Sequence, residues 1–212
     1  MNTKFTTDCR LCPRLATFLD QVRLQSPEYY AKPVVAFGDE NPRLLIVGLA
    51  PGMHGANKTG RPFTGDFAGI LLYETLHRFG FSTKPVSTHA QDGLALTGCR
   101  ITNAVKCLPP QNKPELSEIK QCNKYLKQEI EVINKDSAIL ALGTVAHKSV
   151  LMALDLKEKN FPFSHGAQHT LPSGQMLFDS YHCSRYNTQT RRLTPQMFYS
   201  VFTTITHYLE KK

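Results

Sequence analysis

Short apolar runs that end in glycine- or proline-containing loops alternate with longer helical patterns along this chain. Leu44–Gly48 and Ala138–Leu142 are predicted strands, because each is a short, continuously apolar run bounded by turn-forming residues. Two further strands are predicted at Cys99–Val105 and Met176–Tyr181. Strands separated by helices pair in parallel through crossovers, with helices on both faces of the sheet. The predicted fold is therefore α/β, with three layers (α/β/α) around a central four-stranded parallel sheet.

Helical patterns follow the predicted strands. Apolar residues recur at partial helical spacing in the first predicted helix, which makes Phe67 and Ile70 part of its apolar side. Thr144 is a candidate N-cap for a later helix, because its hydroxyl can accept a hydrogen bond from a free backbone N–H. The predicted helices are Asp66–Phe79, Glu115–Asn134, Thr144–Leu154 and Thr194–Lys211.

The ligand of an open α/β sheet lies outside the carboxyl ends of its strands. In this chain the polar motifs fall largely at three of those four ends, which favours a single site there. The four segments are Gly48–Gly65, Ala104–Gln111, Gly143–His147 and Tyr181–Asn187.

Length and charge restrict the class of protein. A chain of 212 residues is expected to form one domain, 1–212, with a core large enough to be stable without disulfides. Its 25 Lys and Arg against 17 Asp and Glu give a net charge of +8, which indicates a polyanionic partner such as nucleic acid. No apolar run reaches the roughly 18 residues of a membrane helix, and Met1–Arg10 is polar, unlike a signal peptide. We expect no membrane association and a cytoplasmic location.

Four of the six cysteines have the spacing of a metal site. Cys9 and Cys12 form a C-x2-C pair, and Cys107 and Cys122 are separated by 14 residues. In a reducing compartment such thiols are more often metal ligands than disulfides, and four thiolates suit either zinc or an iron–sulfur cluster. The alternative is a local reactive pair plus two small buried hydrophobes. The remaining two, Cys99 and Cys183, are predicted to be core residues.

The glycine-rich loop after the first strand is not a phosphate-binding P-loop. Lys58-Thr59 resembles the end of that motif, but Asn57 stands where the motif needs glycine, and Gly60 interrupts the helix that should follow. A pocket for a flat ring is the alternative, with Phe63 stacking on it. From residue type alone, Phe63 is more often a core aromatic before a helix, and Asp66 is an ordinary helix N-cap.

Three segments resemble the motifs of the uracil-DNA glycosylase superfamily, in particular its family 5 iron–sulfur enzymes. The resemblance implies an enzyme that flips uracil, and other deaminated bases such as hypoxanthine, out of DNA and hydrolyses the N-glycosidic bond, leaving an abasic site. It also implies a structural 4Fe-4S cluster on the four cysteines, a double-stranded substrate with a U·G mismatch, and a monomer. The segments are Gly48–Gly69 (GLAPGMHGANKTGRPFTGDFAG), Ile101–Pro110 (ITNAVKCLPP) and Tyr181–Thr190 (YHCSRYNTQT).

The resemblance also assigns roles in the base pocket. Phe63 stacks on the flipped ring, and Asn103 reads its edge by accepting from N3–H and donating to O4. His182 donates a hydrogen bond to O2 as negative charge builds there. The common enzymes of the superfamily have an aspartate where this chain has Ala50, so Asp66 is the expected carboxylate that positions water or stabilises the sugar cation.

The remaining predicted contacts surround these residues. The backbone N–H groups of the turn from Ala50 to Gly52 and the region of His54 add to the pocket. Asn57 or His54 could position water in place of the carboxylate. Gly52 stands where the common enzymes have a tyrosine that blocks 5-methyl pyrimidines, which predicts broad base specificity. Cys183 replaces the usual proline of the last motif. The predicted DNA contacts are Ser184, Arg185, Tyr186 and Asn187.

Two other functions are compatible with parts of this sequence. A non-catalytic, metal-stapled nucleic-acid-binding module explains the charge and the cysteines without needing Asp66 or His182. A metal-dependent hydrolase built on His54, Asp66 and His182 predicts loss of activity in chelator. Neither accounts for Phe63 and Asn103 as well as a glycosylase does.

Overall fold

The computed structural model describes residues 5–212, so the first four residues of the polar segment 1–10 lie outside the described residues. These residues fold around one six-stranded sheet. Within this part of the chain no helix combines the length and apolarity needed to cross a membrane.

The central four strands are parallel, as predicted, and two short antiparallel strands were not foreseen. The strands lie side by side in the order β1-β3-β2-β4-β6-β5. β1 and β5 pair antiparallel at the two edges, which makes the sheet mixed. Neither is longer than three residues, too short for a hydrophobic pattern to be recognised. The strands are β1 (Phe37–Gly38), β2 (Leu44–Gly48), β3 (Cys99–Asn103), β4 (Ala138–Leu142), β5 (Gln168–Thr170) and β6 (Met176–Ser180).

Helices cover both faces of the sheet, which confirms the three-layer architecture. Successive residues of a strand point to opposite faces, and Leu44 and Ile46 accordingly pack in one core cluster while Leu45 and Val47 pack in another. The helices are α1 (Pro13–Gln25), α2 (Ala56–Thr59), α3 (Phe67–Arg78), α4 (Leu116–Glu131), α5 (Thr144–Ala153), α6 (Arg185–Gln189) and α7 (Pro195–Glu210). The first cluster contains residues of α3 and α7, and the second contains residues of α4 and α5.

Several local predictions need correction. Phe67 and Ile70 are 40% and 60% exposed, because the buried side of α3 is formed by other residues, including Leu72 and Leu76. Gly143, not Thr144, occupies the N-cap of α5, and no side chain caps that helix. The predicted core positions of Cys99 and Cys183 are confirmed, since both are fully buried. The four predicted helices, observed as α3, α4, α5 and α7, otherwise begin and end within three residues of their predicted bounds.

Candidate active site

A cavity of about 510 Å³ opens at the carboxyl ends of the parallel strands. The loops after β2, β3, β4 and β6 all contribute to it, so residues that are far apart in the sequence meet at one place. This is the edge at which an open α/β sheet binds its ligand. Eight of the predicted site residues line the cavity: Ala50, Gly52, Phe63, Asp66, Asn103, His182, Ser184 and Arg185.

Phe63 lies in the wall of the cavity with a backbone conformation that bulky residues rarely adopt. Its φ is +53°, in the left-handed region, which costs about 1–3 kcal/mol unless the surrounding structure compensates. The flanking residues are held firmly: buried Arg61 forms an ion pair with Asp92 at 2.8 Å, and the Tyr73 hydroxyl donates to the Pro62 carbonyl at 2.8 Å. These contacts fix the ring of Phe63 at the cavity.

Asn103, at the end of β3, has a buried side-chain oxygen that no described residue contacts as a donor. The side chain is 3% exposed, and its Oδ1 accepts no hydrogen bond from any described residue. A Cβ on Gly48 would collide with this Oδ1 and would lie 2.7 Å from the Phe63 ring. Glycine at position 48 therefore makes the close approach of the amide and the ring possible. A buried amide that lacks a partner is destabilising by about 1–3 kcal/mol, and a ligand with a complementary edge removes that cost.

Asp66 is the one carboxylate among the described residues that line the cavity. Its Oδ1 accepts the Gly69 N–H at 2.8 Å and so caps α3, while Oδ2 faces the loop after β2, close to Gly55. Burial raises the pKa of the carboxyl, and the N–H groups of Gly69 and Ala68 offset part of that rise. Oδ1 therefore caps α3, whereas Oδ2 can accept a proton from a water molecule or stabilise a developing cation.

His182 follows β6 and lies beside Phe63 in the wall of the cavity. The two rings are nearly parallel, with 5.8 Å between their centroids. Burial lowers the pKa of His182 to about 4, so the imidazole is neutral near neutral pH. The Asn187 side chain donates to the His182 carbonyl at 2.8 Å, and Ser184 caps α6 by accepting the Asn187 N–H at 3.4 Å. Ser184 and Asn187 thus shape the loop that presents the imidazole.

The structure does not place every predicted contact in the cavity wall. His54 is exposed, and its Nδ1 is 2.8 Å from the Tyr29 hydroxyl. Asn57 is fully buried, with its amide donating to the Met53 carbonyl at 3.4 Å. Tyr186 is exposed on α6. None of these lines the cavity, whereas Arg185 does.

Asn112 is a cavity residue that the sequence did not reveal. It lies in the loop between Cys107 and Cys122, and it has a φ of +56° next to Gln111 at +54°. Asparagine tolerates this conformation better than most residues, but a lone Asn in a proline-rich loop gives no recognisable signal. The first turn of α5, at Thr144, lines the cavity as well, and its free N–H groups carry partial positive charge.

The four cysteines with metal-ligand spacing line a second, small cavity. Cys9, Cys12, Cys107 and Cys122 all line it, and all four are free thiols. The Lys106 N–H donates to the Cys122 sulfur at 3.4 Å, a contact that favours a thiolate. In residues 5–212 no three His, Cys, Asp or Glu side chains already form a single-ion site. The donor set nevertheless fits an iron–sulfur cluster, because four cysteine sulfurs are the ligands that such clusters use.

Comparisons of the sequence with known proteins identify relatives of this chain. The model of the "Uracil DNA glycosylase superfamily" matches residues 35–205. The chain is 45% identical over 200 residues to a "Type-5 uracil-DNA glycosylase" of Thermus thermophilus, covering 92% of this chain and 91% of the relative. It is 43% identical to a protein of that name from Mycobacterium leprae, over 92% of this chain and 88% of the relative. The corresponding protein of Pyrobaculum aerophilum is 39% identical, over 88% of this chain and 83% of the relative.

Proposed function

Because the chain belongs to the uracil-DNA glycosylase superfamily, we propose that it excises uracil from DNA with the residues of the cavity at the carboxyl ends of the sheet. The reaction is hydrolysis of the bond between N1 of the base and C1′ of the sugar, which leaves an abasic site. The observation that carries the proposal is the meeting of Phe63, Asp66, Asn103 and His182, from three separate segments, in one cavity.

Base recognition rests on Phe63 and Asn103. The flipped ring stacks on Phe63, while Asn103 Oδ1 accepts the uracil N3–H and its amide donates to O4. Cytosine reverses the donor and the acceptor on this edge, so it would leave the buried amide unpaired. In the structure Asn103 Oδ1 lies close to Gly48 and accepts no hydrogen bond from a described residue, so it is free to accept from the base.

Bond cleavage rests on His182 and Asp66. As the C1′–N1 bond breaks, its electron pair moves onto the base, and the neutral imidazole of His182 donates a hydrogen bond to O2, where the charge develops. Asp66 Oδ2 stabilises the sugar cation and accepts a proton from the water that adds to C1′. The uracil anion takes up a proton on release, so that water is the only reactant consumed.

Excision from a duplex with one U·G mismatch tests this function. After incubation with the enzyme, alkali breaks the strand at each abasic site, and the assay is run with and without chelator. We expect strand breakage at the uracil position in both conditions. Loss of activity in chelator with an intact fold would favour the metal-dependent hydrolase, and tight binding without breakage would favour the non-catalytic module.

We propose a broad base specificity that includes hypoxanthine and 5-substituted uracils. Gly52 lines the cavity, and a Cβ built on it would meet only Asp66 Oδ2, at 3.8 Å. The space beside it can accommodate substituents on the base, and a large side chain would occupy that space.

The Gly52→Tyr variant is expected to lose excision of 5-substituted uracils by about tenfold or more relative to uracil, because one excluded contact changes selectivity by roughly 1–3 kcal/mol. Relative excision rates on matched duplexes measure this selectivity. Gly52→Ala is the control, since its small side chain fits the observed space. Wild-type enzyme that rejects 5-substituted uracils would contradict the proposal.

We also propose that Cys9, Cys12, Cys107 and Cys122 hold a structural 4Fe-4S cluster. When bound, the cluster ties the segment before α1 to the loop after β3 and to α4, and it takes no part in the cleavage. The loop it holds is the one that carries Asn112 to the base pocket.

Replacing Cys122 with serine is expected to remove most of the bound iron and sulfide and to lower the thermal stability of the protein, because the cluster's binding free energy contributes to folding. Metal and sulfide analysis of purified protein and a melting curve measure both effects. Cys99→Ala is the matched control, since Cys99 is also buried but lies outside this cavity. Equal iron content in Cys122→Ser and wild type would rule out the assignment.

The biological setting follows from the same chemistry. We propose that the substrate is double-stranded DNA with a U·G mismatch, because a mismatched base costs less to flip. The net charge of +8 supports binding to the phosphate backbone. We propose a monomer, since one chain supplies every residue of the cavity, and a cytoplasmic location, since six free thiols suit a reducing compartment.

A further inference from the structure

His165 lies where β6 leaves the sheet, just before the loop that lines the base pocket. Along the end of β6 the neighbouring segment pairs through its backbone: the Asp179 N–H donates to the Ala167 carbonyl at 3.0 Å, and the Gly166 N–H donates to the Asp179 carbonyl at 2.8 Å. The next N–H on this edge belongs to Tyr181, because the hydrogen-bonding groups of one strand edge recur every two residues. It donates to Nδ1 of His165 at 3.2 Å, so a side chain continues the pairing where the backbone does not.

This contact decides which nitrogen of His165 carries a proton. A ring nitrogen that accepts a hydrogen bond has no proton, so in the neutral ring the proton is on Nε2. The Ser180 hydroxyl lies 3.4 Å from the same Nδ1 and donates its hydrogen to the Tyr181 carbonyl at 2.9 Å. Burial lowers the pKa of His165, which favours the neutral ring that the contact requires. Side chains therefore hold both the N–H and the C=O of Tyr181.

The ring of Tyr181 is held as well. The imidazole of His165 stacks on it, with 5.1 Å between the centroids and 22° between the planes, and the Arg192 guanidinium lies 4.6 Å from the Tyr181 centroid. The α7 residues that line the space beside the imidazole are uncharged: Met197, Ser200, Val201 and Thr204. These described neighbours include no carboxylate that would stabilise a second proton on the ring. The surroundings of the imidazole thus agree with its role as an acceptor.

We propose that His165 is a positioning residue for His182. This inference rests on the proposed function. His182 follows Tyr181 directly, and the Asn187 side chain donates to the His182 carbonyl at 2.8 Å. The backbone on both sides of the His182 nitrogen is therefore held, at Tyr181 by His165 and at His182 by Asn187. A donor to a developing charge is effective only when it is in place before the charge appears. A backbone shift at Tyr181 would move the imidazole away from O2 of the base, although no group that touches the base is removed.

Two substitutions separate the acceptor of His165 from its ring. His165→Phe keeps a ring that can stack on Tyr181 but has no acceptor, whereas His165→Asn has a side-chain oxygen as many bonds from the backbone as Nδ1. Single-turnover excision from a saturated U·G duplex, the Kd for that duplex and a melting curve are measured for each protein. We expect His165→Phe to lose about 10- to 100-fold in rate at nearly unchanged Kd, and His165→Asn to stay within about threefold of wild type, because a misplacement of about 1 Å has a cost of this order.

A His182→Ala background shows whether the effect acts through His182. If His165 places the imidazole donor, His165→Phe should cost less than about twofold once that donor is gone, so the two losses are strongly non-additive. His207→Phe, at an exposed position of α7 outside the cavity, is the matched control and should excise uracil like wild type. A loss of equal size in both backgrounds, or a loss that only follows the loss of folded protein, would overturn the positioning role.

The protonation of the His165 ring is a readout that needs no DNA. Ring-nitrogen NMR spectra of wild-type protein with isotope-labelled histidine are recorded near neutral pH, and the His165 signals are identified by their absence in His165→Asn. We expect a proton on Nε2 and none on Nδ1. A proton on Nδ1 would overturn the proposal, even where His165→Phe does not fold. Wild-type protein that shows the expected ring protonation but excises no uracil would instead overturn the proposed function.

Discussion

Replacing His182 with alanine should lower the rate of uracil excision by about 10²- to 10³-fold, the usual loss when one donor to a developing oxyanion is removed. The ring lines the cavity beside Phe63, and its low pKa of about 4 makes it a neutral donor at working pH. A neutral donor needs no protonation step. We therefore expect no inflection from this residue between about pH 6 and 8.

The stability of the His182→Ala variant separates a chemical role from a packing role. The backbone carbonyl of His182 accepts the Asn187 amide, and the substitution leaves that contact in place. Single-turnover excision rates with a melting curve for each protein provide the measurement. His182→Gln, which keeps an amide donor, should recover part of the rate. A loss of excision that follows only the loss of folded protein would argue against the hydrogen bond to O2.

Replacing Asp66 with asparagine should lower excision by about 10²- to 10⁴-fold while leaving the protein folded, because a proton acceptor in the transition state contributes a factor of that order. Asparagine caps a helix about as well as aspartate, so the contact with the Gly69 N–H is retained. The substitution thus removes the charge and leaves the cap. Asp66→Ala removes both, and should in addition destabilise the protein by about 1 kcal/mol.

The pH dependence of the excision rate tests the role of the Asp66 carboxyl independently. Burial raises the pKa of Asp66, so the rate should begin to fall, as pH decreases, at a higher pH than an ordinary aspartate with a pKa of about 3.9 would cause. The ionised form is the active one, which places the loss on the acid side. Asp66→Asn should abolish this dependence along with most of the rate. An unchanged acid limb in Asp66→Asn would assign it to another group.

The central sheet could be predicted because its strands are buried on both faces. Ala138–Leu142 is continuously apolar and is bounded as predicted. β1 and β5 could not be found, since pairing at a sheet edge needs little side-chain burial and two or three residues carry no period. Phe67 and Ile70 follow the helical spacing but are exposed, because that spacing identifies an apolar side without showing how much of it the core covers.

The sequence predicted several of the residues that line the cavity, but it did not predict the shape of the cavity. Motif resemblance named Phe63, Asp66, Asn103 and His182, and all four line the cavity. The left-handed backbone of Phe63 depends on tertiary contacts such as the buried Arg61–Asp92 pair, whose members are far apart in the sequence. The exclusion of His54 and Asn57 from the wall has the same origin, because the path of a long loop is fixed by contacts that no local pattern encodes.

The identity of the released product tests the central claim most directly. Duplex DNA with a single uracil is incubated with the protein, and free base is quantified beside the number of alkali-labile sites. Hydrolysis of the glycosidic bond predicts one free uracil for each alkali-labile site, with no strand break before alkali. Strand breaks without free uracil, or bound DNA from which no base is released, would contradict the account.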